Sequence, residues 1–350
     1  MGQILGLGIT HYPNLAADVN MAWRMQKTLD DPALPAALRV PAGWHPTMRE
    51  QWGTDCGQAH SDAHRQDMID QFRKIRAELD AFKPDVVLIW GDDQYENFQE
   101  DCVPAFSVLA YDAMEFQPWL HYRRGRNVWN EPEDKTIRVN GHRAAGKYVA
   151  SALLTEGFDV AYGYKPLHHA LGHAFANSIL FLDYDRKGFD YPVVPFAVNA
   201  YGRWLLAGAG SPPSPSSDAH MTELDPPAPQ PWRCFQLGGA VARALQRSPY
   251  RVAVIASSSW SHSFLVQKNS RLFPDVAADK RYFEALQKGD WAFWRNTTLE
   301  QVEDSGHHEL LNWFCLAGAM SELGRTQPDH ATFLESWITN SDKVFAVFRP

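Results

Sequence analysis

Several histidines and carboxylates of this chain stand where predicted strands end or predicted helices begin. His11 follows an apolar run at residues 3–9, His262 follows another at residues 251–259, and Glu309 stands near the start of a late helical segment. Histidine and carboxylate ligands without a thiolate favour non-haem iron, zinc or manganese, and two histidines with one carboxylate leave positions open for substrate and O2. His11 and Glu309 are therefore candidates for two ligands of such a site.

A second group of candidate ligands is the run Asp92, Asp93 and Gln94. It follows residues 86–90, VVLIW, whose apolar, partly β-branched character is typical of a strand buried on both faces of a parallel sheet. In an open α/β sheet, ligands bind at the carboxyl ends of the strands. We therefore expect these oxygen-bearing side chains at the same rim as His11 and His262, although the run contains no histidine.

Two further histidine-containing segments add candidates. His173 lies in LHHALGHAFANSILFL, and His60 and His64 are four residues apart in HSDAH. A spacing of four places both rings on one helix face, so His60 is a candidate metal ligand. The glutamate that metalloprotease helices carry beside the first histidine is missing here, which favours solvated residues at the start of a helix.

Two motifs of other enzyme classes are incomplete. GLGITH lacks the third glycine and the following helix of a dinucleotide-binding turn. SSSWSHS lacks the G-x-S-x-G elbow of serine hydrolases. Neither a nicotinamide or flavin cofactor nor a serine nucleophile is expected.

The elements that must position the candidate residues alternate between strand and helix. This alternation predicts parallel βα units and hence an α/β fold, a single large domain with a mostly parallel central sheet flanked by helices. We expect one domain over residues 1–350, with a Pro/Ser-rich loop insertion at about 202–232 and an active site at the carboxyl ends of the strands. Strands are predicted at 3–9, 86–90, 160–163, 193–198 and 251–259, and helices at 61–82, 141–157, 235–246 and 307–323.

Composition limits the classes of partner. The chain has 350 residues, 45% of them hydrophobic, and a net charge of −8, which is typical of soluble globular proteins and argues against nucleic acid as a partner. No apolar stretch approaches the ~20 residues of a membrane span. Four scattered cysteines suit reduced thiols, so we expect a cytoplasmic protein, with a homodimer as the commonest oligomer.

The order of the motifs resembles the class III extradiol ring-cleavage dioxygenases, the superfamily of the protocatechuate 4,5-dioxygenase β subunit. The resemblance covers most of the chain. It implies an Fe(II)-dependent enzyme that inserts O2 to open the ring of a catechol-type aromatic substrate. The motifs that carry it are GITHYPNL, PDVVLIWGDDQYENF, LGHAFANSILFL, PVVPFAVNAYG, RCFQLGGAVARAL, VAVIASSSWSHSF and SGHHELLNWFCLAGAM.

The resemblance also implies roles for individual residues. His11 matches the first metal-ligand histidine, and Glu309 matches the carboxylate ligand. His262 matches the catalytic histidine that accepts a proton from the substrate. His173 matches a further active-site histidine that contacts the substrate, with His169 as a competitor.

The chain departs from the family at the second ligand histidine, where an Asn-Asp-His run is replaced by Asp92-Asp93-Gln94. Three interpretations are open. Gln94 binds the metal through its amide oxygen; or Asp93 or a histidine from elsewhere (His60, His168 or His169) completes the triad; or the site binds metal poorly and no longer cleaves rings.

Two other functions compete with ring cleavage. A metal-dependent hydrolase would use Asp93 as its base, and a non-catalytic binding protein would keep the fold without the chemistry. Retention of His11, His173, His262 and Glu309 argues against the binding protein. The loop that contains Tyr122, Arg123, Arg124 and Arg126 is expected to be a solvated surface segment rather than a substrate contact.

Overall fold

The computed structural model describes residues 2–120, 122, 125–204, 208–209, 211, 213–216 and 224–350. An eight-stranded sheet forms the centre, in the order β6-β3-β7-β2-β8-β1-β10-β9, and β4 and β5 pair separately. The strands are β1 (Ile4–Ile9), β2 (Val86–Asp92), β3 (Phe106–Leu109), β4 (Ala113–Phe116), β5 (Ile137–Asn140), β6 (Ala161–Gly163), β7 (Val193–Val198), β8 (Val252–Ser257), β9 (His330–Leu334) and β10 (Lys343–Phe348).

Four neighbouring parallel strands, β7, β2, β8 and β1, form the middle of the sheet. Every residue of these strands is buried, as their apolar sequences predict for strands covered on both faces. In this register Ile9 lies beside Ser257, and Asp92 beside Val198. The carboxyl ends of β1, β8, β2 and β7 therefore meet at one rim, as the sequence predicts.

Antiparallel pairs extend this parallel centre at both sides. β10 pairs with β1 and β9 with β10, while β3 pairs antiparallel with β7 and parallel with the edge strand β6. The sequence analysis predicted β1, β2, β6, β7 and β8 but missed β3, β9 and β10 of this sheet and the separate pair β4 and β5. The α/β class with a mostly parallel central sheet is confirmed.

Helices cover both faces of the sheet. α3 and α5 pack on one face, while α4, α6 and α10 pack on the other together with residues of α7 to α9. The helices are α1 (Trp23–Leu29), α2 (Pro46–Trp52), α3 (Gln58–Phe82), α4 (Arg143–Thr155), α5 (His173–Leu182), α6 (Pro231–Gln246), α7 (Val276–Lys288), α8 (Trp291–Asn296), α9 (Leu299–Asp304) and α10 (Leu311–Glu322).

The expected insertion at 202–232 falls partly outside the described residues. A short 3-10 helix, Gly202–Trp204, opens it, and α6 begins at Pro231, before the end of the segment. Of the loop at 122–126, Arg123 and Arg124 lie outside the described residues. No helix in the described part of the chain is both long enough and apolar enough to cross a membrane.

Two glycines allow α6 and α10 to approach backbone to backbone. A Cβ atom at Gly238 would lie 1.8 Å from the carbonyl oxygen of Cys315, and one at Gly318 would lie 1.8 Å from that of Phe235. Neither carbonyl can move without shifting its helix. Because the short 3-10 helix containing Glu309 leads directly into α10, this contact also fixes the position of that carboxylate.

Gly318→Ala should lower the free energy of unfolding by about 1–3 kcal/mol, the usual penalty for overpacking a core, because the two helices must separate. Gly239→Ala is the matched control, since a Cβ there meets only the ends of the Glu322 and Arg243 side chains within 3.6 Å. Urea denaturation of both variants measures the difference. Equal stability of the two variants would contradict the close-contact interpretation.

Candidate active site

Buried polar side chains converge at the rim where the parallel strands end. His11 follows β1, Asp92 is the last residue of β2, and His262 follows β8. Glu309 lies in the 3-10 turn His308–Leu310 ahead of α10. All four are at least 95% buried, so their ionised groups must be balanced by neighbours and not by water.

His11 presents one ring nitrogen to two carboxylates. Its Nδ1 lies 3.1 Å from the carbonyl oxygen of Ser257, which fixes Nδ1 as the proton donor of the neutral ring. Its Nε2 lies 3.4 Å from Glu309 Oε2 and 3.7 Å from Asp92 Oδ1. Burial lowers the pKa of His11 well below its ordinary value, so the Nε2 lone pair faces two oxygen acceptors. A cation between these three atoms would remove this repulsion.

Glu309 has one oxygen engaged and one without a hydrogen bond. Its Oε1 accepts hydrogen bonds from the Tyr201 hydroxyl at 2.7 Å and from the Gln94 amide nitrogen at 3.3 Å. Its Oε2 is buried and has no hydrogen-bond partner among the described residues. Burial and the charge of Asp92 raise the pKa of Glu309 well above its usual range, and burial raises that of Asp92 to about 6. These donors fit a divalent cation, which would hold both carboxyl groups in their ionised form.

Gln94, the residue at the position of the family's second ligand histidine, turns its amide nitrogen toward this group. The nitrogen lies 2.6 Å from the Tyr201 hydroxyl, 3.3 Å from Glu309 Oε1 and 3.4 Å from Asp92 Oδ2. An NH2 group is the end of the amide that two carboxylates favour. Gln94 therefore presents its amide nitrogen, and not its amide oxygen, to the two carboxylates.

The sequence analysis expected Asp92 at this rim but singled out Gln94 and Asp93 as the ligands from this run. Side chains alternate along a strand, so Asp92 shares a face with Leu88 and Trp90, which belong to the core on the α10 side. Asn312 of α10 lies 3.4 Å from its Oδ1. Counting alternate residues from the buried Trp90 would have placed Asp92, and not Asp93, on the face that carries Glu309.

Asp93 and His60 lie outside this group. Both oxygens of Asp93 accept backbone N–H groups of the following turn, from Glu96 at 3.0 Å and Asn97 at 2.8 Å. His60 donates to or accepts from the Ser336 hydroxyl at 3.0 Å and stacks on His64. The structure brings neither of these two predicted ligands to His11, so we assign them no ligand role.

The two alternative histidines also lie apart from the rim. His168 is exposed and pairs with Asp101 at 2.9 Å. His169 accepts the backbone N–H of Leu171 at 3.3 Å, and its carbonyl holds the Asn97 amide. Neither joins the group of His11, Asp92 and His173, whose ligand atoms all lie within 4.8 Å of one another.

His173 is paired with a carboxylate and packs against His11. Its Nδ1 lies 2.9 Å from Glu96 Oε2, and its ring meets the His11 ring edge to face at 4.9 Å between centroids. Burial alone would lower the pKa of His173, but the Glu96 charge and hydrogen bond raise it to about 9. His173 is therefore an imidazolium at neutral pH, poised to donate a hydrogen bond.

His262 is the neutral counterpart of His173. Its Nε2 lies 3.3 Å from Glu309 Oε1, and its backbone N–H donates to Gly306 at 2.9 Å. Burial, together with the positive charge of Lys343, lowers the pKa of His262 well below its usual range. A neutral imidazole can accept a proton from a bound ligand.

A cavity of about 340 Å³ opens onto these groups, a size that suits a small aromatic molecule. The cavity is lined by the candidate catalytic residues, by aromatic rings and by one arginine. Its lining residues are His11, Tyr12, Pro13, Asn14, Trp23, Arg24, Gln94, Glu96, His173, Ser259, His262, Phe264, Glu309 and Asn340.

Known proteins with similar sequences share one class of reaction. A family model described as the catalytic LigB subunit of aromatic ring-opening dioxygenase matches residues 215–345. A 2,3-dihydroxyphenylpropionate/2,3-dihydroxicinnamic acid 1,2-dioxygenase of Burkholderia vietnamiensis is 24% identical over 321 residues, 78% of this chain and 88% of that protein. The enzyme of the same name from Photorhabdus laumondii is 21% identical over 257 residues, 70% and 68% of the two chains.

Another relative is named for a different substrate. A gallate dioxygenase of Pseudomonas putida is 23% identical over 188 residues, which cover 52% of this chain and 47% of that protein. All three of these relatives are named as dioxygenases.

Glu96→Gln should lower the pKa of His173 from about 9 toward its ordinary 6.5, because the paired negative charge is lost. The pair stabilises the fold fully only above the ordinary Glu value of 4.5 and below the ordinary His value of 6.5. The stability difference from wild type should therefore be largest between those values and decline as the pH rises through 9. Histidine NMR titration and urea denaturation of the metal-free protein measure both effects.

Glu115→Gln is the control for the loss of one carboxylate, since Glu115 forms an exposed pair with Arg138. It should leave the His173 titration unchanged and alter stability by less than about 1 kcal/mol. An unshifted His173 pKa in Glu96→Gln would show that the ion pair does not set its charge.

Proposed function

We propose that this chain, which is similar to the class III extradiol dioxygenases, opens the ring of a catechol-type substrate with O2 and a non-haem Fe(II) ion. The observation that carries the proposal is the convergence of the buried atoms His11 Nε2, Glu309 Oε2 and Asp92 Oδ1. A neutral imidazole and two carboxylates can hold a divalent cation, with one histidine fewer than the two-histidine, one-carboxylate set typical of non-haem iron. The cavity beside them accommodates the aromatic ring.

We propose His11, Asp92 and Glu309 as the ligands, so that a carboxylate supplied by the end of β2 replaces the family histidine. Tyr201 and Gln94 hold Oε1 of Glu309, which leaves Oε2 directed at the metal position. Such partners of a ligating carboxylate fix its orientation. In this arrangement Gln94 serves the site through Glu309 and not as a ligand.

When bound, the ion would lower the pKa of the substrate hydroxyls and bring substrate and O2 together. His262 accepts the hydroxyl proton, because its ring is neutral and stands 3.3 Å from a proposed ligand. His173 carries the opposite charge state and donates a hydrogen bond to an oxygen that becomes negative during the reaction. Glu96 maintains that charge.

The hydrolase alternative has less support from the structure. It requires Asp93 as a base, but both oxygens of Asp93 are held by backbone N–H groups. The described surface of the cavity instead presents His262 as the neutral base. We propose Fe(II) from the family resemblance, a cytoplasmic location from the composition, and a homodimer because it is the commonest oligomer.

The ligand assignment predicts that variants of Asp92 and Gln94 differ strongly in their affinity for Fe(II). Asp92→Asn removes a charged ligand and should raise the Kd for Fe(II) by more than about 100-fold, since even partners outside the coordination shell affect affinity 10- to 100-fold. Gln94→Ala should raise it by about 10-fold, the lower end of that range, because the Tyr201 hydroxyl still holds Oε1 of Glu309. Anaerobic calorimetric titration measures both, with circular dichroism to verify folding.

A loss of iron in Gln94→Ala combined with wild-type affinity in Asp92→Asn would reverse the assignment and make Gln94 the ligand. Glu309→Gln should behave as Asp92→Asn does, because it removes the second charged oxygen beside His11.

The reaction itself is tested by oxygen uptake with a panel of catechols, gallates and aminophenols. The iron-loaded protein should consume O2 with at least one of them, and His262→Gln should reduce turnover by about 10²–10⁴ while retaining iron. His168→Gln, an exposed histidine, should retain full activity. A protein that contains iron but consumes no O2 with any of the panel would refute ring cleavage, and full activity of His262→Gln would remove that residue from the mechanism.

A further inference from the structure

We propose that a second cavity, which shares Glu96 and His173 with the active-site cavity, binds an uncharged apolar substituent of the substrate. The chain would then select catechols that carry a bulky apolar group, such as a phenyl ring, on the carbon next to one hydroxyl. The inference rests on the proposed ring-cleaving function and adds to it the class of substrate that the site prefers.

The second cavity is larger than the active-site cavity. Its volume is about 670 Å³, compared with about 340 Å³ at the proposed metal ligands. Both volumes lie in the range of small-molecule sites. Because the active-site cavity already suits one aromatic ring, the adjoining volume is available to a group attached to that ring.

The second cavity begins close to His11. The paired side chains of Glu96 and His173 line both cavities, and the His173 ring packs edge to face on the His11 ring. Asn177 also lines the second cavity, and its amide nitrogen donates to the carbonyl oxygen of His11 at 3.1 Å. A substrate oxygen hydrogen-bonded to His173 would lie at this boundary. A group on the adjacent ring carbon would extend into the second cavity.

The spacing of residues in α5 creates one wall of the second cavity. His173, Ala176 and Asn177 are three and four residues apart, so they share one face of the helix. The small side chain of Ala176 leaves space between its two larger neighbours. A larger residue at this position would occupy part of the cavity.

Apolar side chains from two other segments complete much of the described wall. Phe116 ends β4, Pro118 and Leu120 follow it, and Leu171 precedes α5. Phe116 and Leu171 are buried in the core, whereas Leu120 is 46% exposed. An apolar group bound beside Leu120 would remove apolar surface of both partners from water, which is favourable.

The charges in this wall favour an uncharged substituent. Both carboxylates of the described lining already have cationic partners, Glu96 with His173 at 2.9 Å and Glu115 with Arg138 at 3.1 Å. An ionised substituent with a carboxylate would bring a third negative charge to this wall, and burial of an unpaired charge is unfavourable. A hydrocarbon substituent meets no such penalty.

The test compares catechol with 3-phenylcatechol in the iron-loaded enzyme. Wild type should prefer 3-phenylcatechol by roughly 10- to 100-fold in kcat/KM, the effect of burying one phenyl-sized group. Ala176→Leu fills part of the second cavity and should reduce this preference to less than about threefold, through an increased KM for 3-phenylcatechol. Leu120→Ala, at an exposed position that folding does not depend on, should reduce it by about threefold because apolar contact is lost.

The preference for an uncharged group is tested with 3-propylcatechol and 3-(2,3-dihydroxyphenyl)propionate, whose substituents share a chain of three carbon atoms. Wild type should prefer 3-propylcatechol by about 10-fold or more in kcat/KM, because only the propionate places a charge in the second cavity. An equal or greater kcat/KM for the propionate would overturn the assignment of an uncharged substituent.

Ala77→Leu is the matched control, since it makes the same substitution at an exposed position of α3, which packs beside α5, and should keep the wild-type preference. Anaerobic binding of phenol and 2-phenylphenol to the iron-loaded protein, followed by tryptophan fluorescence, gives the same comparison without ring cleavage. A wild-type protein that binds both equally, or an Ala176→Leu variant that keeps the preference, would overturn the role of the second cavity. Failure to cleave any catechol while the binding preference follows Ala176 would instead refute only the proposed reaction.

Discussion

The site depends on one electrostatic conflict, a neutral histidine nitrogen that faces two buried carboxylates. His11 Nε2 and the nearest oxygens of Glu309 and Asp92 are all acceptors, and burial removes the water that would otherwise separate them. Either the carboxyl groups take up protons or a cation enters between them. The raised pKa values of Glu309 and Asp92 correspond to protonation of the carboxyl groups. A bound divalent ion is the alternative.

The fold holds His11, Asp92 and Glu309 close together although their facing atoms repel one another. Parallel pairing of β1, β8 and β2 brings His11, Ser257 and Asp92 to one rim, and the Ser257 carbonyl selects the tautomer of His11. Glu309 is supplied by a different element, the 3-10 turn that precedes α10. The close glycine contact between α6 and α10 prevents α10 from moving away. The carboxylate of Glu309 therefore cannot move apart from the groups that repel it. Packing energy thus maintains an arrangement that electrostatics alone would disrupt.

The sequence allowed most of this framework to be predicted, and its failures have identifiable causes. Buried parallel strands such as β2 and β7 are continuous apolar runs, so their ends and the residues after them could be located. β10 was missed because its KVFAVF run follows a long segment with no helix pattern, and its antiparallel pairing with β1 is not encoded locally. Matching to the family run drew the prediction of a β2 ligand to Gln94 and Asp93, and neither of them belongs to the group that Asp92 forms with His11 and His173. The charge of His173 could not be predicted, since Glu96 is 77 residues away along the chain.

The most direct test is the structure of the anaerobic protein with Fe(II), determined by crystallography with anomalous scattering at the iron edge. The account predicts one iron bound by His11 Nε2 and by carboxylate oxygens of Asp92 and Glu309, with the Gln94 amide nitrogen hydrogen-bonded to Glu309 outside the coordination shell. An iron bound by Gln94 with Asp92 turned away, or a protein that leaves the space between His11 and Glu309 without iron, would contradict it.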